Sequence, residues 1–370
     1  MRGAAALAVA LAARLAAGFT QPEANFLLDI NGISVGVEPD HVCVIEEKLG
    51  EEVGGKASCF GFEDESGRMD PPADGLFVQV VTGRQYGCGI NLDQSVSCWG
   101  LMAAPQGLFT QLTGEDFFVC GVMVDNSVRC SGNVPFTEDQ VPTGKKLVQV
   151  SCGGGHCCAL DDQALPHCWG PSDARACVFI TPPAEAGQAG SKSIGASAGA
   201  SGGASGEEDE DEDEDEDAYE DEEDDSTGAG AAKARVQMRQ IAASNEWSCG
   251  ISLEGQNLHC WGHKRAHKKK PEQHPPKLLA GPWKQVAAGA LGVCALRESK
   301  DNGGSPADSL QCWGMVNFFL PQALRSGKYD QVAVGSLLSC AVTMESELAC
   351  WGPSQGNIDE LDIPDTLVIA

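Results

Sequence analysis

Cysteine is the residue in this chain with the most chemistry to offer, with seventeen in 370 residues. A cysteine can act as a nucleophile, a soft metal ligand or half of a disulfide, and spacing tells these apart. A zinc site wants four ligands in tight Cys-x2-Cys-like groups; the sequence has no such group, so no metal site is expected. Fourteen cysteines instead fall into pairs ten to eighteen residues apart: Cys43 with Cys59, Cys88 with Cys98, Cys120 with Cys130, Cys158 with Cys168, Cys249 with Cys260, Cys294 with Cys312 and Cys340 with Cys350. Cys152, Cys157 and Cys177 are left over. One further bridge among them leaves a single thiol, and the sequence does not say which. The alternative chemistry there is a nucleophilic thiol beside His156. The other histidines cluster in a basic stretch or stand singly near cysteines, and no Ser-His-Asp set emerges. No catalytic residue and no cofactor is therefore expected.

The pairs sit inside a repeat. The clearest copy is Phe77-Val-Gln-Val80, Gly83, Cys88-Gly-Ile90 and Cys98-Trp-Gly100. It returns as Phe109-Thr-Gln-Leu112 with Cys120 and Cys130-Ser-Gly132, then as Leu147-Val-Gln-Val150 with Cys158-Ala-Leu160 and Cys168-Trp-Gly170. Further copies are Val236-Gln-Met238 with Cys249 and Cys260-Trp-Gly262, Trp283-Lys-Gln-Val286 with Cys294 and Cys312-Trp-Gly314, and Tyr329-Asp-Gln-Val332 with Cys340 and Cys350-Trp-Gly352. A weaker one opens the chain, with a strand expected over Phe26 to Ile30, then Cys43 and Cys59-Phe-Gly61. Short strands recurring about every 40 residues are the signature of propeller blades. The fold class predicted is all-β: a seven-bladed β-propeller with one disulfide inside each blade and a long disordered acidic insertion.

Each pair fits a stapled antiparallel hairpin, because directly opposed residues lie within the Cα range of a disulfide. With the turn at Asp93, residues Cys88, Ile90, Leu92, Gln94, Val96 and Cys98 share one face. The same alternation groups Cys120, Val122, Val124, Val128 and Cys130, and likewise Cys340, Val342, Met344, Leu348 and Cys350. Each bridge closes a short loop and is expected to contribute about 2–3 kcal/mol by the chain-entropy account. Trp99, Trp169, Trp261, Trp313 and Trp351 follow the second cysteine and so point to the opposite face, where blade-to-blade packing is expected. Gly83, Gly153, Gly289 and Gly335 hold one repeat position, which predicts either a positive φ or a close backbone approach. Ser244 takes that place in one copy, and Gly114 comes one residue early in another.

Apolar residues make up 42% of the chain and charged residues 21%, enough to pack a core. Net charge is −28, of which the tract Glu207 to Asp225 supplies −17, leaving −11 elsewhere. Nucleic-acid binding needs a basic face and is disfavoured. Arg2, the apolar run Ala4 to Ala13 and the small residues Ala16-Ala17-Gly18 predict a secretory signal peptide over 1–19. No later stretch is long and apolar enough to span a bilayer. Residues 178–233 are rich in Gly, Ala and Ser around the acidic block and too poor in aliphatic bulk to fold. The basic cluster Lys264-Arg265 and Lys268-Lys-Lys270 is the natural partner for that block. Terminal residues Ile363 to Ala370 are expected to dock beside the first blade. The domains expected are 20–177 for blades one to four and 234–370 for blades five to seven with the closing strand.

The repeat, with its Phe-x-Gln-Val, Gly, Cys-x-Ile/Leu/Val and Cys-Trp-Gly elements, resembles repeats of the regulator of chromosome condensation superfamily. It is more similar to their cysteine-containing version in the extracellular domain of crinkly-type plant receptor kinases. That resemblance covers about residues 26–177 and 234–370 and implies a seven-bladed propeller with an extracellular recognition role. No kinase domain is present, so no kinase activity is implied. The function expected is a secreted, non-enzymatic module recognising an unknown protein or peptide ligand. The alternative is an acidic extracellular matrix-type protein associating Ca²⁺ weakly through the tract; the guanine-nucleotide exchange role of the founding family fits less well.

Overall fold

The computed structural model describes residues 33–35, 41–46, 54–61, 65–171, 236–245, 247–262, 275–290, 292–298, 309–336 and 338–352. The expected signal peptide, the acidic insertion 178–233, most of the basic loop, Cys177 and the expected closing strand Ile363 to Ala370 lie outside them.

The described residues form seven separate sheets. Sheet one is β1 (Ile33–Val35), β2 (His41–Ile45) and β3 (Ala57–Gly61). Sheet two is β4 (Phe77–Thr82), β5 (Tyr86–Asn91) and β6 (Val96–Gly100); sheet three is β7 (Phe109–Glu115), β8 (Phe118–Met123) and β9 (Val128–Gly132). Sheet four is β10 (Leu147–Cys152), β11 (Cys157–Asp161) and β12 (Pro166–Trp169). Sheet five is β13 (Met238–Ala243), β14 (Trp247–Ser252) and β15 (Leu258–Gly262), with a short fourth strand β16 (Leu278–Leu279). Sheet six is β17 (Trp283–Gly289), β18 (Gly292–Arg297) and β19 (Leu310–Gly314); sheet seven is β20 (Tyr329–Val334), β21 (Ser339–Thr343) and β22 (Leu348–Trp351). All neighbouring strands are antiparallel.

Two strand placements differ from the sequence expectation. The strand opposite Cys43 is Ile33–Val35, with Ser34 facing the cysteine; the expected Phe26–Ile30 lies outside the described residues. In sheet five the repeat begins at Met238, so Met238-Arg-Gln-Ile241 takes the place of Phe77-Val-Gln-Val80, two residues later than Val236.

Cysteines face each other across the second and third strands of every sheet: 43–59, 88–98, 120–130, 158–168, 249–260, 294–312 and 340–350 are bonded, with Cα atoms 4.0–4.1 Å apart. An eighth bond joins Cys152 of β10 to Cys157 of β11.

A bulge at the start of the repeat in sheets two to seven decides how the sheets stack. In sheet two, Phe77 pairs with Asn91 while Gln79 pairs with Ile90, so Val78 is an extra residue. The same skip recurs at Thr110, Val148, Arg239, Lys284 and Asp330. A bulge shifts the alternation by one, so Phe77 shares a face with Val80 and Trp99, while Gln79 joins the face of Cys88 and Ile90. The first face packs on Cys43, Ile45 and Cys59 of sheet one, and the second on Phe109, Leu112 and Val119 of sheet three. Every later joint follows the same rule, disulfide face against the next sheet's Val and Trp face. Sheet seven closes the series: Ala333, Cys340 and Val342 pack against Val42 and Val44 of sheet one. The chain is a β-propeller.

Polar links reinforce the apolar joints. The Gln79 amide donates to the Leu112 carbonyl (3.0 Å) and accepts from its N–H (2.8 Å), mimicking a strand partner in the next sheet. Gln111 does the same to Val150, and Gln285 to Val332, while Gln149 and Gln240 accept from Ile241 and Val286. The glycines at the first turn are explained by close approach, not by a positive φ. A Cβ on Gly153 would lie 2.0 Å from the Ser244 carbonyl oxygen, and one on Gly289 2.3 Å from that of Gly335.

Candidate interaction surface

Antiparallel order puts the first turn of every sheet at one end of the stack and the hairpin tip at the other. At the tips, the Asn91–Ser95 turn closes through Gln94 N–H to Asn91 C=O and places Gln94 at φ +69°. Asn126, Ala164 and Ser346 repeat that left-handed residue. A tight turn followed by such a residue is a three-residue hairpin loop. Leu92, Val124 and Met344 are thus turn residues, not members of the disulfide face as the alternation predicted. They stand 50%, 43% and 60% exposed. Leu253 holds the same place in sheet five, and Leu108, whose carbonyl accepts from Val124 N–H, is exposed beside them.

Backbone bonds link the rim at this end from sheet to sheet across sheets one to six. The carbonyls of four left-handed tip residues accept from the first residue of the next sheet: Gln94 from Phe109 (2.7 Å), Asn126 from Leu147 (2.9 Å), Ala164 from Met238 (2.8 Å) and Gln256 from Trp283 (3.0 Å). Gly55 serves Phe77 in the same way.

An acid follows each exposed apolar tip residue: Asp93, Asp125, Glu254 and Glu345. Ser95 and Ser127 donate hydroxyl and backbone N–H bonds to Asp93 and Asp125, holding both carboxyls below the usual carboxylate range. Asp161 differs. Burial pushes its carboxyl up, but the His167 ring 2.8 Å away and the Leu165 and Gln163 amides outweigh burial and leave it lowered. The rim therefore pairs apolar side chains with fixed negative charge, a combination that can bind a segment carrying apolar and basic residues. Lys146 and Lys284 are held to Asp162 and Asp330 at the same end.

The opposite end carries the first turns. Phe117 is exposed there under the Arg84 guanidinium, 5.6 Å from its ring centre. Behind it Glu115 is buried, and burial first, then the Asp116 charge, drives its carboxyl well above the usual range. The Tyr86 hydroxyl donates to the Glu115 carbonyl, and burial raises its pKa strongly.

Among the described residues, the groups that a thiol nucleophile or a sulfur metal site would use are otherwise engaged. His156 Nε2 meets Ser248 Oγ at 2.8 Å between sheets four and five; both side chains are buried, and burial lowers the imidazole to about 4. The neighbouring Cys157 and Cys158 are both in disulfides. The sulfurs of Cys120, Cys152 and Cys157 lie within 4.8 Å of one another, but bonded sulfurs offer no thiolate to a metal. The tryptophans are buried in the joints. Trp99 Nε1–H donates to the Arg68 carbonyl, and Trp313 meets Trp283 edge-on at 6.2 Å.

No family model matches the chain. Among solved structures it is similar to the CRINKLY WD40 ectodomain of the Arabidopsis thaliana receptor kinase ACR4, at 17% identity and a TM-score of 0.58, covering 92% of this chain and 98% of that one. The entire ectodomain of the Physcomitrella patens receptor kinase CR4 matches at 18% identity and a TM-score of 0.58, over 87% of this chain and 72% of that one. Prp20p from Saccharomyces cerevisiae matches at 15% and 0.52, over 90% and 84%. These likenesses show the β-propeller fold. Among the described residues no helix is long and apolar enough to cross a membrane.

Proposed function

We propose that the chain is a secreted, non-enzymatic propeller that recognises a protein or peptide through its hairpin-tip rim. The observation that carries the reading is that rim: side chains that could have been polar at no structural cost are Leu92, Val124, Leu253 and Met344, each next to a carboxylate. Exposed apolar side chains grouped on one surface mark interaction sites. The eight disulfides support an oxidising compartment, since such bonds are rare where cytosolic reductants operate. The ectodomain likeness points the same way. Residues 1–19 then serve as the signal peptide, and 20–177 with 234–370 as the propeller.

The test is capture from the native secretome with the full chain as bait. Leu92→Ser with Val124→Ser should abolish capture, Phe117→Ser at the opposite end should leave it intact, and deletion of 184–233 should leave it intact. Capture lost with the deletion but kept with the rim variants would overturn the reading in favour of an acidic, Ca²⁺-associating matrix protein.

A further inference from the structure

Seven of the eight disulfides obey the repeat, and Cys152–Cys157 does not. It joins the first strand of its sheet to the second, where sheet two has Thr82 opposite Gly87. Cys157 pairs on its other side with Trp169, so the extra bridge sits on the Trp face of sheet four. By the stacking rule that face looks onto the disulfide face of sheet three. Cys120, Cys152 and Cys157 accordingly share one core with Phe136 and Leu147, and their sulfurs lie within 4.8 Å of one another. Thr113 Oγ1 accepts from Cys152 N–H (3.3 Å) and holds the two sheets together there. The three sulfurs are buried, whereas Cys130, on the outer strand, is partly exposed.

We infer that this cluster is a thiol–disulfide exchange site that takes a small-molecule thiol at Cys130 and moves the cross-link from within sheet three to between sheets three and four. A thiolate from solvent attacks Sγ of Cys130; the new bond joins the small molecule to Cys130, the Cys120–Cys130 bond breaks, and Cys120 leaves as thiolate. Cys120 then attacks Sγ of Cys152. A Cys120–Cys152 bond forms, the Cys152–Cys157 bond breaks, and Cys157 leaves as thiolate and takes a proton. Attack on Cys157 with Cys152 leaving is the mirror route. Electrons balance without any oxidant, because one disulfide is exchanged for another at each step. The attacking species is the thiolate, so the second step accelerates as pH rises.

Two preparations test it. Cys130→Ser frees Cys120 beside the intact bridge; after incubation at pH 8.5, acid quench and alkylation, mapping of unreduced peptides should find Cys120 bonded to Cys152 or Cys157. Cys98→Ser frees Cys88, which faces no second bridge, and should give at least tenfold less rearrangement. The unmutated chain treated with reduced glutathione should carry glutathione on Cys130 and alkyl groups on Cys157 or Cys152. A glutathione-modified Cys130 with alkylation confined to Cys120, or an intact Cys152–Cys157 bond in folded Cys130→Ser, overturns the inference.

Discussion

Replacing Gln79 by leucine keeps the volume of the side chain and removes both of its hydrogen bonds to Leu112. Gln79 is 5% exposed, so water does not reach the freed groups readily. Each buried donor or acceptor left without a partner costs about 1–3 kcal/mol. The Leu112 N–H and C=O are both stranded, and leucine regains a little by apolar contact, so the loss expected is about 2–4 kcal/mol. Urea unfolding with the disulfides intact reads it as a lower midpoint at unchanged slope. Hydrogen exchange at the Leu112 amide reads the same loss locally. Gln79→Glu sharpens the test. A carboxylate still accepts from the Leu112 N–H but repels its carbonyl, so this variant should be worse than leucine at pH 8. It should recover part of the loss near pH 4, where the protonated acid can donate again. A Leu variant within 0.5 kcal/mol of the parent, with Leu112 still protected, would refute the view that these glutamines clip sheet to sheet.

His156 and Glu115 give pH signatures of opposite sign. Burial lowers His156 to about 4 from 6.5, so between those values the unfolded chain binds more protons; stability falls as pH drops through that window, by about 3 kcal/mol in total. His156→Gln should flatten that part of the stability–pH curve, measured as the difference from the parent. Glu115 is raised well above 4.5, so the folded chain binds the extra proton and stability falls as pH climbs above 4.5. Glu115→Gln should match the parent at pH 4 and exceed it at pH 8, by about 1.4 kcal/mol for each unit of the shift; equal thermal midpoints at pH 8 would sink this assignment.

Repetition made much of the fold readable. Seven cysteine pairs at hairpin spacing and a tryptophan after the second cysteine define which sheet face is which, and the tryptophans pack in the joints as that reading requires. The bulge was hidden because alternation assumes one residue per step. Its trace is the residue between Phe and Gln, which is Val78, Thr110, Val148, Arg239, Lys284 and Asp330 in turn. A site that takes Val, Thr, Arg, Lys and Asp in turn lies at the margin of the packed faces, where Val78 and Val148 are partly buried and Asp330 is exposed. The same step displaced the tip residues: Leu92 and Met344 fit the apolar alternation on paper, yet the left-handed Gln94 and Ser346 end the strands before them.

The glutamine that recurs in sheets two to seven is a visible signal whose meaning depends on the bulge. A polar residue at a fixed place between two apolar ones looks like an outward-facing strand residue, and without the bulge it would be one. The bulge turns it toward the neighbouring sheet, where only a side chain with one donor and one acceptor at its end can satisfy a peptide group. The Cys152–Cys157 bridge follows from the same geometry. Because consecutive sheets meet disulfide face to Trp face, a cysteine pair placed on the Trp face must confront the previous sheet's bridge. A break in the repeat at that one position is therefore more informative than the repeat itself, since nothing in the stacking of the sheets demands it.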